Sequence, residues 1–136
     1  MSQNFQHGLA HNAYRSAAIT TSPLAAIVML YDTAIARLGR TVTLIEDKQF
    51  EEAFINLERA VAILRGLCHN LDFEKGGAFA ERMRDTYLAL IMSALGAFRK
   101  PDAPARFKRL IEALTGLRDA WADVRVQMAQ KKFTSP

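Results

Sequence analysis

Apolar side chains recur along this chain at alternating steps of three and four residues, in four long stretches separated by short polar ones. The first ladder is Leu24, Val28, Tyr31, Ile35, Leu38, Val42 and Ile45. The second is Phe50, Phe54, Leu57, Val61, Leu64, Cys68 and Leu71, and the fourth is Phe107, Leu110, Leu114, Leu117, Trp121, Val124 and Met128. On an α-helix this spacing collects every rung on one face, so each stretch predicts a helix with a seam to bury. The third stretch, Phe79 to Phe98, differs in carrying two adjacent stripes. Met83, Tyr87, Leu90 and Ala94 form one, and Leu88, Ile91, Leu95 and Phe98 the other.

The breaks between ladders carry helix punctuation. Thr21-Ser22-Pro23 is a hydroxyl cap with proline at the first helical position, which predicts a first helix to about Glu46. Asp47-Lys48-Gln49 is a turn, and Glu51-Glu52 place negative charge in the first turn of helix two, which ends near Leu71. Gly76-Gly77 interrupt the period, so helix three is expected from about Ala78 to Arg99, before Pro101. Asp102 is positioned to cap helix four, which is expected to run to about Gln130. Four amphipathic helices on short connections predict an all-α, antiparallel four-helix bundle over residues 21–131. Residues 1–20 read as a short N-terminal strap or helix with scattered apolar residues, free to move, and residues 132–136 as a disordered tail.

Composition narrows the functional classes. At 136 residues, half of them hydrophobic, the chain supports a single domain with an ordinary core. Its one cysteine, Cys68, lies on the second seam and reads as a small buried hydrophobe. There is no basic start followed by an apolar run of signal-peptide type, and no apolar run reaches the ~20 residues of a spanning helix. The expected location is the cytoplasm, with no membrane insertion. Net charge is +4, but most bases are interleaved with acids; Arg99-Lys100, Arg106-Lys108-Arg109 and Lys131-Lys132 are the local clusters. No nucleic-acid surface is expected from so dispersed a pattern.

Catalytic and metal chemistry is not supported by the residue inventory. A di-iron carboxylate bundle uses Glu-x-x-His pairs, and none of His7, His11 and His69 has a glutamate three before it. No haem-attachment or phosphate-loop motif occurs. His7 and His11 could share a helix face, but two ligands without a third make a weak site. The chain is expected to be no enzyme and to need no metal or cofactor.

Apolar surface is what remains. Beyond its ladder, helix one adds Ile27, Met29, Leu30 and Leu44, and helix two adds Ile55 and Ile63, while Met92 accompanies the doubled stripe of helix three. Two readings stand: a widened core face, or a groove that receives an amphipathic helix of a partner.

The motifs themselves carry a resemblance. Ser22-Pro23 followed by Met29-Leu30-Tyr31-Asp32 is similar to the "TP…MLYDG" opening of the flagellar secretion chaperone family of FliS type, with Thr33 where that family has glycine. Leu71-Asp72-Phe73-Glu74 with Gly76-Gly77 resembles its turn between the second and third helices. Tyr87, Leu95 and Ala97 follow its "LY…L..A" pattern, and Leu117-Arg118-Asp119-Ala120-Trp121 its closing "lrdaW". The match extends from about Tyr14, the second tyrosine of the family's strap; His11 stands at the position of the first.

The resemblance implies an export chaperone. Such proteins bind the disordered C-terminal segment of flagellin in apolar grooves, prevent its premature polymerisation and deliver it to the flagellar export apparatus. It implies partner-binding residues among Tyr14, Ile19, Ile27, Leu30, Tyr31, Leu88, Ile91, Met92 and Leu95. An alternative function is a basic helical adaptor or regulator that binds nucleic acid or an acidic protein through Arg106, Lys108, Arg109, Lys131 and Lys132. Weak self-association through the same apolar stripes is a third expectation.

Overall fold

The computed structural model describes residues 23–134, which form four helices and no strand. These are α1 (Pro23–Glu46), α2 (Phe50–His69), α3 (Phe73–Ala97) and α4 (Ala103–Thr134). The connections 47–49, 70–72 and 98–102 are too short to cross the bundle, so successive helices run antiparallel. The expected all-α bundle is the observed fold. Helix α1 packs extensively on α2 and α4, whereas α3 lies opposite α1 and packs less closely on the same two neighbours.

Small residues explain the closeness of the first pair. Ala26 and Ala34 on α1, and Ala53 and Ala60 on α2, are fully buried and let the two backbones approach. Leu38, Leu57, Leu64, Phe107 and Leu114 fill the space between the layers. The outer rungs behave differently from expectation. Phe50 and Phe54 of the second ladder, and Val124 and Met128 of the fourth, are exposed. For α4 the cause is length, since all of residues 123–130 are exposed and its last turns run beyond the described body of the bundle.

Local geometry sets the boundaries. The α1–α2 turn closes as a Schellman motif: Gln49 N–H donates to Leu44 O at 2.8 Å and Lys48 N–H to Ile45 O at 3.0 Å. Lys48 takes the left-handed position at φ 59°, normally a glycine site. Helix α2 ends at His69, not Leu71, and α3 begins at Phe73, five residues before the expected start. The reason is a side-chain cap, because the Asp72 carboxylate accepts from Lys75 N–H at 3.0 Å and nucleates a turn ahead of the glycines. The glycine break is nonetheless real. Gly77 lies at φ 53°, ψ −129°, and kinks α3 there. At its other end α3 stops at Ala97 instead of Arg99.

The α4 helix continues to Thr134, past the expected end at Gln130 and into the expected tail, and no glycine or proline lies between Gln130 and Thr134 to break it. At its start the Asp102 carboxylate binds Arg106 Nε at 2.7 Å. The Thr21-Ser22 cap and the 1–20 strap lie outside the described residues.

Candidate functional site: the α2–α3 groove

Residues from separate sequence motifs meet inside the bundle. Tyr31 on α1 and Tyr87 on α3 are buried, and their hydroxyls lie 2.6 Å apart across the diagonal between two helices whose backbones are not neighbours. Burial pushes both phenols above their ordinary range; for Tyr31, hydrogen bonding to the Tyr87 and Trp121 side chains offsets part of that rise. Next along α1, Asp32 accepts from Arg118 Nε of α4 at 2.8 Å. Trp121, one turn further along α4, is half-buried and packs edge-on against Phe79 of α3 with ring centroids 6.1 Å apart. The motif residues of α1, α3 and α4 therefore anchor α3 in a fixed rotation.

That rotation decides which of the two α3 stripes is covered. Met83, Tyr87 and Ala94 enter the core, and Leu90 packs against it. Leu88, Met92 and Leu95 remain 49%, 73% and 41% exposed. Ile91, three residues after Leu88, falls between the two arcs and is only 5% exposed. Against these residues α2 presents Arg65, Cys68 and His69, and the two helices enclose an open groove of about 420 Å³ with Ile91 in its floor. Farther along the seam between the same two helices, Phe54 and Phe98 pack with ring centroids 5.3 Å apart. From Phe54 to Cys68 that seam follows roughly 20 Å of helix, at 1.5 Å per residue. At the Cys68 end, Arg84 lies over the Phe73 ring, 5.7 Å from its centroid.

The sequence-predicted binding residues divide accordingly. Leu88, Ile91, Met92 and Leu95 come together in one groove. Leu30 and Tyr31 do not join them; both are buried, because their positions on α1 face the core and Tyr31 is held by Tyr87. Ile27 is half-buried against the core cluster. Tyr14 and Ile19 lie outside the described residues. Cys68 is half-buried and lines the groove, where a fully buried seam position was expected. Burial pushes its thiol up, and nearby Arg84 acts in the opposite direction. Arg65 and His69 line the groove without being rungs of a ladder, whereas Phe54, a rung of the second ladder, is exposed farther along the same α2–α3 seam. The visible signal was an α2 seam that begins with two phenylalanines, more apolar bulk than the end of a helix needs.

An open groove between two helices of a bundle, with Leu88, Ile91, Met92 and Leu95 along one wall, is an arrangement that suits the apolar face of an amphipathic helix. Comparison with known proteins gives the family. Residues 7–128 match the model of a family described as "Flagellar protein FliS". The chain is 31% identical over 120 residues to the "Flagellar secretion chaperone FliS" of Campylobacter jejuni subsp. jejuni serotype O:6, covering 88% of this chain and 93% of that one. It is also 31% identical over 110 residues to the protein of the same name from Salmonella typhimurium, covering 80% and 81% respectively. The chain belongs to the FliS family of flagellar proteins.

Proposed function

We propose that this protein is a flagellar secretion chaperone, a binding protein without catalytic activity, whose α2–α3 groove receives the disordered C-terminal segment of flagellin as an amphipathic helix. The observation that carries the proposal is the outward stripe Leu88–Met92–Leu95, left uncovered beside Phe54 and Phe98. Each of these side chains is already part-buried, so covering it contributes roughly 1 kcal/mol, and several together offset the entropy lost when the client orders. Met92, the most exposed of them, adapts its shape to an incoming helix. Sequestering the segment prevents flagellin from polymerising in the cell. A modest affinity per unit of buried area allows release at the export apparatus.

Residues 1–20, with Tyr14 and Ile19, are proposed to act on the same surface as a strap, so removal of residues 1–16 should change client affinity and leave the bundle folded. The reading favours a cytoplasmic protein, and no helix among the described residues is long and apolar enough to cross a membrane.

The test is titration of the purified chain with the flagellin C-terminal segment of its own organism, beside the double variant Leu88→Lys/Met92→Lys. Binding that survives high salt in the parent chain and is lost in the variant supports the groove. Undiminished binding in a folded variant places the client elsewhere. Affinity that collapses with salt favours the charged-adaptor alternative instead.

A further inference from the structure

A second groove lies between α1 and α2, apart from the α2–α3 channel, with a volume of about 480 Å³. Arg37 and Arg40 of α1 face Arg59 of α2 across it, with Glu52, Ile55 and Asn56 completing its walls. Three guanidinium groups therefore line one groove against a single carboxylate.

The pairing of these arginines sets them apart. The ion pairs among the described residues involve Arg84, Arg106 and Arg118, and none reaches Arg37, Arg40 or Arg59. Arg37 is half-buried, and its Nη1 donates to the neutral Oδ1 of Asn56 at 3.2 Å. Asn56 is itself buried and anchored, with Nδ2 donating to Glu52 O at 2.9 Å. One guanidinium is thus held in place by a neutral partner and makes no ion pair among the described residues. Arg40 and Arg59 are exposed on either side of it. Ile55, 43% exposed, adds an apolar contact point to the same groove.

We infer that this groove is an interaction surface for an acidic, amphipathic segment of a partner protein, docked independently of the client channel. Arg37 and Arg40 stand one turn apart, as do Asn56 and Arg59, so the site matches about two turns of a helix carrying Asp or Glu at three- and four-residue steps. Guanidinium forks bind carboxylates bidentately, which gives such a segment register as well as attraction. Ile55 asks for an apolar residue between the acids. A nucleic-acid strand fits less well, because no aromatic ring lines the groove to stack a base and Glu52 repels phosphates.

The experiment uses the full chain and a fluorescein-labelled synthetic helical peptide in which glutamates recur at three- and four-residue steps around one leucine. Fluorescence anisotropy should show binding that weakens at least about tenfold between low and high salt. The variant Arg40→Glu/Arg59→Glu, which alters exposed side chains, should lose at least about tenfold in affinity and keep the parent's thermal melt and its affinity for the flagellin segment. The reverse variant Leu88→Lys should bind the acidic peptide undiminished, so failure here and failure of the client groove are separately visible. Absence of peptide binding to the parent chain, or equal binding to Arg40→Glu/Arg59→Glu, overturns the inference. So does tighter binding of a labelled single-stranded oligonucleotide that is lost in the same variant, since the occupant would then be nucleic acid.

Discussion

The hydroxyl of Tyr31 on α1 sits 2.6 Å from that of Tyr87 on α3, a hydrogen bond that links the two diagonal helices of the bundle directly. Both rings are buried, with centroids 6.3 Å apart. Removing one hydroxyl leaves the other in an apolar environment without that partner. Tyr87→Phe should therefore destabilise the fold by about 1–2 kcal/mol, and the double variant Tyr31→Phe/Tyr87→Phe by less than the sum of the singles. Urea denaturation of the four proteins in the cycle measures the coupling; strict additivity would mean the bond contributes nothing.

The same pair predicts alkaline lability. Burial raises both phenol pKa values in the folded state, so their contribution is fully present below about pH 10, the unfolded value, and is lost as pH rises through the folded range. Above about pH 10 each tyrosine that ionises only on unfolding weakens the fold by up to ~1.4 kcal/mol per pH unit. Cys68, also raised, adds to the fall from about pH 9. Stability measured between pH 8 and 11 should flatten in Tyr31→Phe/Tyr87→Phe, which keeps Cys68; an unchanged alkaline slope refutes the assignment.

Leu88 and Ile91 stand three residues apart and should respond oppositely to lysine. Leu88→Lys changes a half-exposed position and should alter stability by no more than about 0.5 kcal/mol. Ile91→Lys places an unpaired charge in the core and should cost more than about 4 kcal/mol, or prevent folding. Circular dichroism melts compare the two; similar losses in both would mean the outward stripe is core.

Two left-handed residues should respond in opposite senses. Lys48→Gly relieves a side chain held at φ 59° and should stabilise by about 0.5–1 kcal/mol. Gly77→Ala forces a Cβ into a region of backbone space reserved for glycine and should destabilise by about 1–3 kcal/mol. Thermal melts suffice, and a stabilised Gly77→Ala would show that the α3 kink is dispensable.

Aromatic truncations should rank by burial. Phe107→Ala removes a fully buried ring and should cost about 3–5 kcal/mol, whereas half-buried Trp121→Ala should cost less, about 2 kcal/mol. Guanidinium titrations of the two variants give the order.

Much of this protein follows from sequence because helix formation and helix order are local. The three–four spacing marked four seams, and turns too short to cross a bundle forced antiparallel neighbours. The doubled stripe of α3 and the family motifs pointed to the groove carrying Leu88, Met92 and Leu95. What periodicity leaves undetermined is the rotation of each helix against its neighbours. Only packing decided that Leu30 and Tyr31 turn inward, that Ile91 forms floor instead of rim, and that Cys68 reaches the groove. The arginine groove was equally invisible, since Arg37 and Arg40 belong to one helix and Arg59 to another, and each alone looks like a solvated surface charge. Their convergence exists only once small alanines have drawn α1 and α2 together, a relation between distant parts of the chain that no local spacing encodes.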